Sequence, residues 1–178
     1  MRLPRTGKLR ALGAAGLIVL TLAFGQGCAH LRAPWSDHDP CRPEETPGVS
    51  AGRPSVWPVD APDRQVVSEY GVRRGRSRRH KGIDIKCAEG TPVRATADGV
   101  VTEVRTQGAY GKIIVVDHGD GYSTAYAHLC KQHASPGQEV RRGEILGGAG
   151  RSGNASCTHL HYEVRRNGTA TNPRPYLP

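Results

Sequence analysis

The sequence of 178 residues is poor in aromatic side chains and in long apolar segments. Aromatic residues make up 5% of the chain, with a single Phe, whereas Gly (23) and Pro (13) are plentiful. The apolar run at residues 11–24 is shorter than the about 20 residues that a membrane-spanning helix needs. No segment has a convincing helical stripe of apolar residues. These absences count against a helical bundle and favour a loop-rich β domain.

The same apolar run follows four basic residues, so residues 1–27 are predicted to be a signal peptide rather than a retained anchor helix. Gly25 and Gly27 are small residues ahead of Cys28, as either a lipoprotein signal or an ordinary signal peptidase site requires. We favour lipid on Cys28, although Gly25 stands where such motifs usually carry leucine. The protein is therefore predicted to be exported, as a periplasm-facing lipoprotein of the outer membrane or otherwise secreted.

The net charge limits the classes of molecule that the protein is expected to bind. The formal net charge is +9, and removing the four basic residues of the leader leaves 21 of the 25 basic residues against 16 acidic ones. Such a surface suits nucleic acid, anionic lipid or wall polymers, but export argues against nucleic acid.

Of the five cysteines, four remain if Cys28 is lipidated. They allow two disulfides in any of three connectivities, or one disulfide and two buried thiols.

The rest of the chain divides by composition. Residues 28–64 are rich in proline and are predicted to be a linker, with Trp57 docking onto the domain that follows. Residues 65–172 contain consecutive short strand patterns, and residues 173–178 form a tail. We therefore predict one all-β, mostly antiparallel domain.

Local patterns place several of its strands. Four β-branched residues in a row mark residues 112–117 as a buried strand. A tight turn at residues 118–121 leads to a second strand at residues 122–129, which completes a hairpin. One or two more strands are expected in residues 91–104, with a break at residues 98–99. Pro136-Gly137 and Arg142-Gly143 mark further turns.

Two pairs of polar residues suggest a metal site. His159 and His161 share one face of a strand, while Leu160, Tyr162 and Val164 take the other. His80 and Asp84 share a face of an extended segment, with Gly82 leaving room for close approach. Either pair alone is weak, since histidines also line ordinary polar faces. Two imidazoles and one carboxylate leave a bound Zn²⁺ with net positive charge and an open fourth position, which is typical of catalytic sites.

A further histidine belongs to the predicted hairpin. Tyr126 and His128 alternate onto one face of its second strand. His128 is either a proton shuttle or oxyanion ligand, or a hydrogen-bonded strand histidine.

These motifs stand in a characteristic order between residues 58 and 168. They are Ser68-Glu69-Tyr70-Gly71-Val72-Arg73, His80-x-Gly82-Ile83-Asp84, Gly90-Thr91-Pro92-Val93, Asp98-Gly99-Val100-Val101, Tyr110-Gly111, Asp117-His118-Gly119, Tyr126-Ala127-His128-Leu129, Gly137-x-x-Val140-x-x-Gly143 and His159-Leu160-His161-Tyr162-Glu163-Val164. In this order the sequence resembles the lysostaphin-type (LytM-like) zinc metallopeptidases, which hydrolyse peptide bonds in peptidoglycan.

The resemblance implies a LytM/lysostaphin-like domain, of the duplicated hybrid motif type, with one Zn²⁺ per chain and peptidoglycan as its substrate. It implies that His80, Asp84 and His161 bind the metal. It assigns His159 and His128 to proton transfer or transition-state stabilisation. Tyr110 stands where some members place a tyrosine that supports the oxyanion. Some members lack zinc ligands and instead activate other wall hydrolases, which leaves a binding module as the alternative function.

The chain departs from the family pattern just before His159. Ser156-Cys157-Thr158 replaces the usual Gly-Pro type turn, which brings a thiol close to the site. We expect Cys157 to pair with Cys87, and Cys41 with Cys130; the less favoured alternative makes Cys157 a fourth zinc ligand. The basic run at residues 73–81 is either a solvated loop or one wall of a substrate groove.

Overall fold

The computed structural model describes residues 52–60 and 65–178, so the predicted signal peptide, Cys28 and Cys41 lie outside the described residues. The strands are β1 Val66–Ser68, β2 Arg73–Arg74, β3 Arg78–Arg79, β4 Ile83–Lys86, β5 Pro92–Arg94, β6 Gly99–Gln107, β7 Gly111–Gly119, β8 Tyr122–Gln132, β9 Glu139–Val140, β10 Ile145–Ala149, β11 His159–Arg166 and β12 Thr169–Thr171. Two short 3-10 turns, Gly108–Tyr110 and Arg174–Tyr176, are the only helical elements among these residues. In this described part, no helix is long and apolar enough to cross a membrane. The predicted all-β fold is confirmed.

Ten of the strands form one antiparallel sheet. Its main path runs β1-β4-β11-β8-β7-β6-β9, while β12 pairs with β11, and β10 pairs with both β8 and β5. The strands β2 and β3 form a separate two-stranded hairpin. The neighbouring strands β4, β11 and β8 carry four of the six predicted site residues, although these strands are far apart in the sequence. Of the other two, His80 lies in the loop before β4 and Tyr110 in the first 3-10 turn.

The predicted hairpin is strands β7 and β8. Its β-branched run is buried, and its side chains pack alternately into two apolar clusters on opposite faces of the sheet. The turn itself is shorter than predicted and consists of Asp120 and Gly121, with φ of 50° and 77°. Positive φ at both central residues is the geometry of the type I′ turn that matches the twist of antiparallel strands.

The larger cluster lies on one face of the sheet. It includes Leu160, Tyr162 and Val164, as predicted for the apolar face of β11. Residues of β5 and β10 complete the same cluster, so the sheet folds over one apolar interior. The smaller cluster, on the other face, comprises Ile113, Val115, Ala125 and Ala127. The two alanines lie directly across from Glu163 and His161 of β11. Their short side chains leave space on that face for larger polar groups.

Part of the segment predicted to be a linker is built into this fold. Val59 is completely buried and forms a bridge with Val93. The predicted docking of Trp57 is confirmed, because its ring packs on the main cluster and its Nε1 donates a hydrogen bond of 2.8 Å to the Pro178 carbonyl. Tyr176 of the predicted tail packs there too. Residues from both ends of the described chain therefore cover one apolar surface.

The cysteine pairing expected from the sequence is wrong where the structure describes it. Cys87, Cys130 and Cys157 are all free thiols. Cys87 packs against the main cluster, whereas Cys157 is exposed in the loop before β11, so the two sulfur atoms lie in different environments. Cys130 is likewise unpaired, and its expected partner Cys41 lies outside the described residues. Burial raises the pKa of the Cys87 thiol to about 11, which keeps it protonated and unreactive.

Candidate active site

His80, Asp84 and His161 come together as a compact buried triad. The Nε2 atom of His80 lies 3.0 Å from Asp84 Oδ1 and 3.0 Å from His161 Nδ1. The Nδ1 atom of His161 lies 2.8 Å from the same carboxylate oxygen. The three residues are between 3% and 5% exposed. Among residues 52–60 and 65–178, this is the one group of His, Cys, Asp or Glu side chains found able to hold a metal ion.

Strand pairing explains why these residues meet. His161 and Asp84 are direct partners in the antiparallel register of β11 and β4. His80 enters from the loop before β4, where Gly82 lies against the backbone of β11. A Cβ atom at Gly82 would overlap the carbonyl oxygen of Tyr162, so only glycine permits this approach. The room that the sequence predicted at Gly82 is thus required for β4 to pack against β11.

Each imidazole is oriented by an acceptor on its outer side. The Nδ1 atom of His80 donates to the Glu69 carbonyl at 2.8 Å. The Nε2 atom of His161 donates to Glu163 Oε1 at 3.1 Å. With the hydrogen on the outer nitrogen, the inner nitrogen of each ring can present its lone pair to a metal ion at the centre. Without the ion, the same inner nitrogens lie within hydrogen-bond distance of Asp84 Oδ1. Such outer acceptors fix the tautomer and orientation of histidines that bind metals.

The carboxylates of this cluster are held in their charged forms. Burial by itself would raise the pKa of Asp84, but hydrogen bonds with His161 and His80 outweigh it and hold that pKa well below its usual range. Burial would also raise the pKa of Glu163, yet the hydrogen bond from His161 and the charge of Arg165 lower it to about 2. Burial lowers the pKa of His161, whereas its contacts with both carboxylates raise it to a larger extent. The centre thus combines two anionic oxygens with imidazole nitrogens, an environment that suits a cation.

His128 does not lie where regular alternation would place it. The prediction that Tyr126 and His128 share one face of the strand is wrong, because Tyr126 packs in the main core while the His128 ring lies 4.8 Å from that of His159. His128 has a φ of 62°, and the pairing of β8 with β7 shifts its register next to it. A β-bulge of this kind re-aims a side chain and is common next to active sites.

The bulge also fixes the direction of the His128 ring. Its Nδ1 atom donates to the Ser152 carbonyl at 2.8 Å, so Nε2 carries the lone pair. Burial lowers the pKa of His128 to about 4, with further lowering by the neighbouring histidines. The ring is therefore neutral near pH 7. A left-handed conformation at a residue other than glycine costs about 1–2 kcal/mol. In β8 the residue with this strained conformation is the one that faces the triad.

His159 occupies the position beside the triad that its strand predicts. Its Nδ1 atom donates to the Cys157 carbonyl at 2.9 Å, so this residue contributes its backbone rather than its thiol to the site. The Nε2 atom lies 3.6 Å from Asp84 Oδ1. It is the one buried side-chain polar atom, among the residues described, without a hydrogen-bond partner. A buried acceptor left open at the edge of a triad is available to a bound molecule.

Glu163 was given no role in the sequence analysis, yet it joins three residues of the site. It is completely buried and accepts hydrogen bonds from His161 and, at 2.7 Å, from the Tyr110 hydroxyl. Arg165 binds its other oxygen with two nitrogens, at 2.8 and 2.7 Å. The sequence signal was its position two residues after His161, on the same face of β11.

Tyr110 is near the triad, but its hydroxyl donates to Glu163, and burial raises the pKa of Tyr110 to about 12.

An open cleft of about 690 Å³ leads to these residues. His80, His128, His161 and Tyr110 all line it. The β2–β3 hairpin also lines the cleft, and its Arg74 guanidinium contacts the Oδ2 atom of Asp84. Of the two alternatives for the basic run, the groove wall fits its position better than a loop away from the site.

The residues present fit a zinc ion by their chemistry. Two imidazoles and a carboxylate are ligands that Zn²⁺ takes in catalytic sites, and the three donor atoms lie close to the separation of about 3.3 Å that tetrahedral zinc imposes. The open nitrogen of His159 marks the side on which a further molecule could be held. The fold and this set of side chains together resemble those of metal-dependent peptidase domains.

Comparisons with known proteins agree with this class. The profile of peptidase family M23 matches residues 78–173, and the chain belongs to that family. The DD-carboxypeptidase/endopeptidase Mpg of Neisseria meningitidis serogroup B is 46% identical over 96 residues, which are 54% of this chain and 22% of that protein. The murein hydrolase activator EnvC of Escherichia coli is 37% identical over 133 residues, or 74% of this chain and 31% of EnvC.

A solved structure supports the same assignment. A zinc-containing peptidase from Vibrio cholerae superposes with a TM-score of 0.62 and 36% identity, covering 65% of this chain and 37% of that one. The chain thus spans about a fifth to a third of the length of the two curated relatives described above. The family is zinc-dependent and associated with the cell wall, and its members differ in whether their names describe a peptidase or an activator.

Proposed function

We propose that this protein is a zinc-dependent endopeptidase that hydrolyses peptide cross-links of peptidoglycan. The observation that carries the proposal is the set of five buried residues in which a triad for the metal is joined by two oriented histidines. His80, Asp84 and His161 would bind the ion, with His159 and His128 beside it. All five are exposed by 6% or less, which shields the reacting groups from bulk water.

The chemistry divides between the ion and the protein. When bound, Zn²⁺ polarises the scissile carbonyl and makes water acidic enough to attack near neutral pH. The open Nε2 atom of His159 accepts the proton of the attacking water, because its Nδ1–H is already held by the Cys157 carbonyl. His128, neutral near pH 7, stabilises developing charge or passes the proton to the leaving amine.

Tyr110 and Glu163 act mainly on the metal-binding side of the site. Glu163 orients His161, and the Tyr110 hydroxyl satisfies the same carboxylate oxygen. We therefore assign Tyr110 first to positioning Glu163. Donation to the oxyanion would require its hydroxyl to leave Glu163.

The location of the activity is part of the proposal. The predicted leader and Cys28 would place the domain outside the cytoplasm, where peptidoglycan is found, and lipid on Cys28 would hold it at a membrane. The names of the relatives, which describe cell-wall proteins, support this placement.

The test compares wall digestion and metal content in the same samples. Purified cross-linked peptidoglycan fragments are incubated with the zinc-loaded wild type, with His161→Ala and with His133→Ala, and the products are identified by mass spectrometry. His133 is exposed and away from the cleft, so its variant is the matched control. We expect the wild type and the control to release uncross-linked peptides and His161→Ala to release none. Equal digestion by all three would contradict the assignment of the site.

The second candidate function is activation of another wall hydrolase, because the similarity to EnvC covers 74% of this chain. The two functions predict different results in the same experiment. An activator would leave the fragments intact by itself and would increase digestion by a partner hydrolase, whether or not zinc is bound. The complete set of five residues favours the peptidase.

A further inference from the structure

The β2–β3 hairpin concentrates positive charge at the edge of the cleft. Between residues 73 and 81 there are five arginines and one lysine, and no acidic residue lies between Glu69 and Asp84. The strand register places Arg73 opposite Arg79 and Arg74 opposite Arg78. Like charges directly opposite each other destabilise a strand pair, and an isolated two-stranded hairpin is marginal in any case. The hairpin thus keeps charges that work against its own folding.

The nearby carboxylates leave most of this charge uncompensated. Asp84 is engaged by Arg74, Glu163 by Arg165, and Glu69 by Arg174. Among the described residues, none forms an ion pair with the other basic groups of the run. These groups are Arg73, Arg76, Arg78, Arg79 and Lys81. Unfavourable local charge that is retained next to a site is typical of a binding role.

Position decides which of these cations can reach a bound molecule. Arg78, Arg79 and Lys81 line the cleft that His80 and His161 also line. Arg79 Nη1 donates to the Gly71 carbonyl, which holds that side chain along the hairpin. Arg78 and Lys81 are exposed and make no hydrogen bond through their side chains to other described residues. They are the positively charged donors of the cleft that have no such partner.

From this arrangement we propose that the hairpin is a carboxylate-binding subsite, in which Arg78 and Lys81 hold an anionic group of the peptide next to the bond that is cut. The proposal rests on the proposed function, since the peptide enters the same cleft. An arginine fork binds a carboxylate with two parallel hydrogen bonds, and a lysine ammonium adds a point charge. The protein therefore selects cross-linked peptides that carry a free carboxylate over those in which that group is an amide. Arg74 has a different role, because it contacts the triad itself.

The experiment uses a pair of cross-linked peptides that differ only in one group. In one peptide the carboxylate adjacent to the scissile amide is free, and in the other it is converted to the neutral amide. The ratio of kcat/KM for the two is measured for the wild type and for Arg78→Glu/Lys81→Glu. A control, Lys131→Glu/Arg141→Glu, changes the net charge equally at exposed residues outside the cleft.

We expect the wild type and the control to prefer the free carboxylate by about tenfold, the effect of one or two charge-assisted contacts at an accessible site. Arg78→Glu/Lys81→Glu is expected to lose that preference through KM, because its kcat/KM falls more for the carboxylate peptide than for the amide peptide. An equal loss on both peptides, or equal ratios for all three proteins, would overturn the subsite.

A binding measurement separates this inference from the proposed function. Fluorescence anisotropy is recorded with peptides whose scissile amide is replaced by a reduced, uncleavable linkage. Carboxylate-dependent binding that Arg78→Glu/Lys81→Glu abolishes, together with no cleavage of the natural linkage, would remove the peptidase proposal and keep the subsite. Tighter binding of a phosphate-bearing polymer than of the carboxylate peptide would instead assign the hairpin to another anion and overturn the proposal.

Discussion

Two buried polar clusters, on opposite sides of the same sheet, differ in how their hydrogen bonds are used. In the core cluster, His118 is bonded at both ring nitrogens, to the Asp98 carbonyl and to Thr124 Oγ1, at 2.7 Å each. The chain of hydroxyls continues from Thr124 through Tyr126 to Thr96 without an open atom. In the site cluster, the ring nitrogens converge on one point instead.

The difference separates a structural histidine from a functional one. Burial is the same in both clusters, since His118 is 1% exposed and His161 is 5% exposed. What differs is that the inner nitrogens of His80 and His161 both face one oxygen of Asp84, and that His159 Nε2 has no partner among the described residues. A buried polar cluster whose hydrogen bonds are all made internally stabilises the fold. A cluster whose ring nitrogens converge on one point can instead bind a ligand there.

Removing a side chain that is predicted to bind the metal should have the largest effect on zinc affinity. His161→Ala is expected to weaken zinc binding by more than about 100-fold, because the loss of an outer-shell partner alone costs about 10- to 100-fold. Zinc affinity is measured by competition with a chelating dye, and His133→Ala serves as the control. His118→Ala should bind zinc like the wild type. If His161→Ala retained wild-type affinity, the triad would not be the metal site.

Removing a histidine from the core cluster should lower stability rather than zinc affinity. His118→Ala is expected to lower the free energy of unfolding by about 2–4 kcal/mol, because it opens a cavity and leaves Thr124 and the Asp98 carbonyl without their partner. Denaturant unfolding is measured with chelator present, so that metal binding does not contribute. A loss below about 0.5 kcal/mol would show that this network does not stabilise the fold.

Removing the hydrogen bonds on the outer side of the site should have an intermediate effect on zinc affinity. Glu163→Gln removes the negative charge behind His161 and is expected to lower zinc affinity by about 10- to 100-fold. Tyr110→Phe removes one hydrogen bond to the same carboxylate and should cost less, within about tenfold. Isothermal titration with zinc measures both variants. A larger effect for Tyr110→Phe than for Glu163→Gln would contradict the positioning role of Tyr110.

The smallest expected effect is a dependence of stability on pH. Burial lowers the pKa of His118 from its ordinary value near 6.5, although its hydrogen bond to the Asp98 carbonyl and the charges of Asp117 and Asp98 oppose this. The unfolded chain therefore takes up a proton that the folded protein does not. Stability from this group is fully present above the unfolded pKa and is lost as the pH falls below it.

Chelated wild type and His118→Asn are compared by denaturant unfolding between pH 7 and pH 5. The slope of stability against pH should be shallower in the variant, by at most about 1.4 kcal/mol per pH unit. Identical slopes would show that His118 does not contribute. His128, whose pKa burial lowers to about 4, adds to the slope in both proteins and therefore cancels in the comparison.

The sequence predicted those features that depend on regular alternation. His159 and His161 lie on one face of β11, opposite Leu160 and its apolar neighbours, because nothing interrupts the strand. The β7–β8 hairpin followed from its β-branched run and from the glycine and aspartate of its turn. The convergence of His80, Asp84 and His161 was expected from family resemblance, and the antiparallel register gives its physical basis.

Features that depend on a break in regularity could not be predicted. The bulge at His128 arises from the register of β8 against β7 and β10, which no local pattern near residue 128 encodes. The burial of Val59 depends on Val93, more than thirty residues away. The pairing of Cys87 with Cys157 was inferred from closeness in sequence to the site, whereas the two side chains occupy different environments.

The left-handed backbone at His128 has a consequence for efforts to make this protein more robust. Glycine adopts a φ of 62° without the penalty that histidine meets there. Replacing His128 with glycine should therefore remove a backbone penalty of about 1 kcal/mol, but it also removes a buried ring and its hydrogen bond to the Ser152 carbonyl. The contacts of the ring therefore offset the strain of the backbone, and a laboratory screen for robustness gains little by replacing this histidine with glycine.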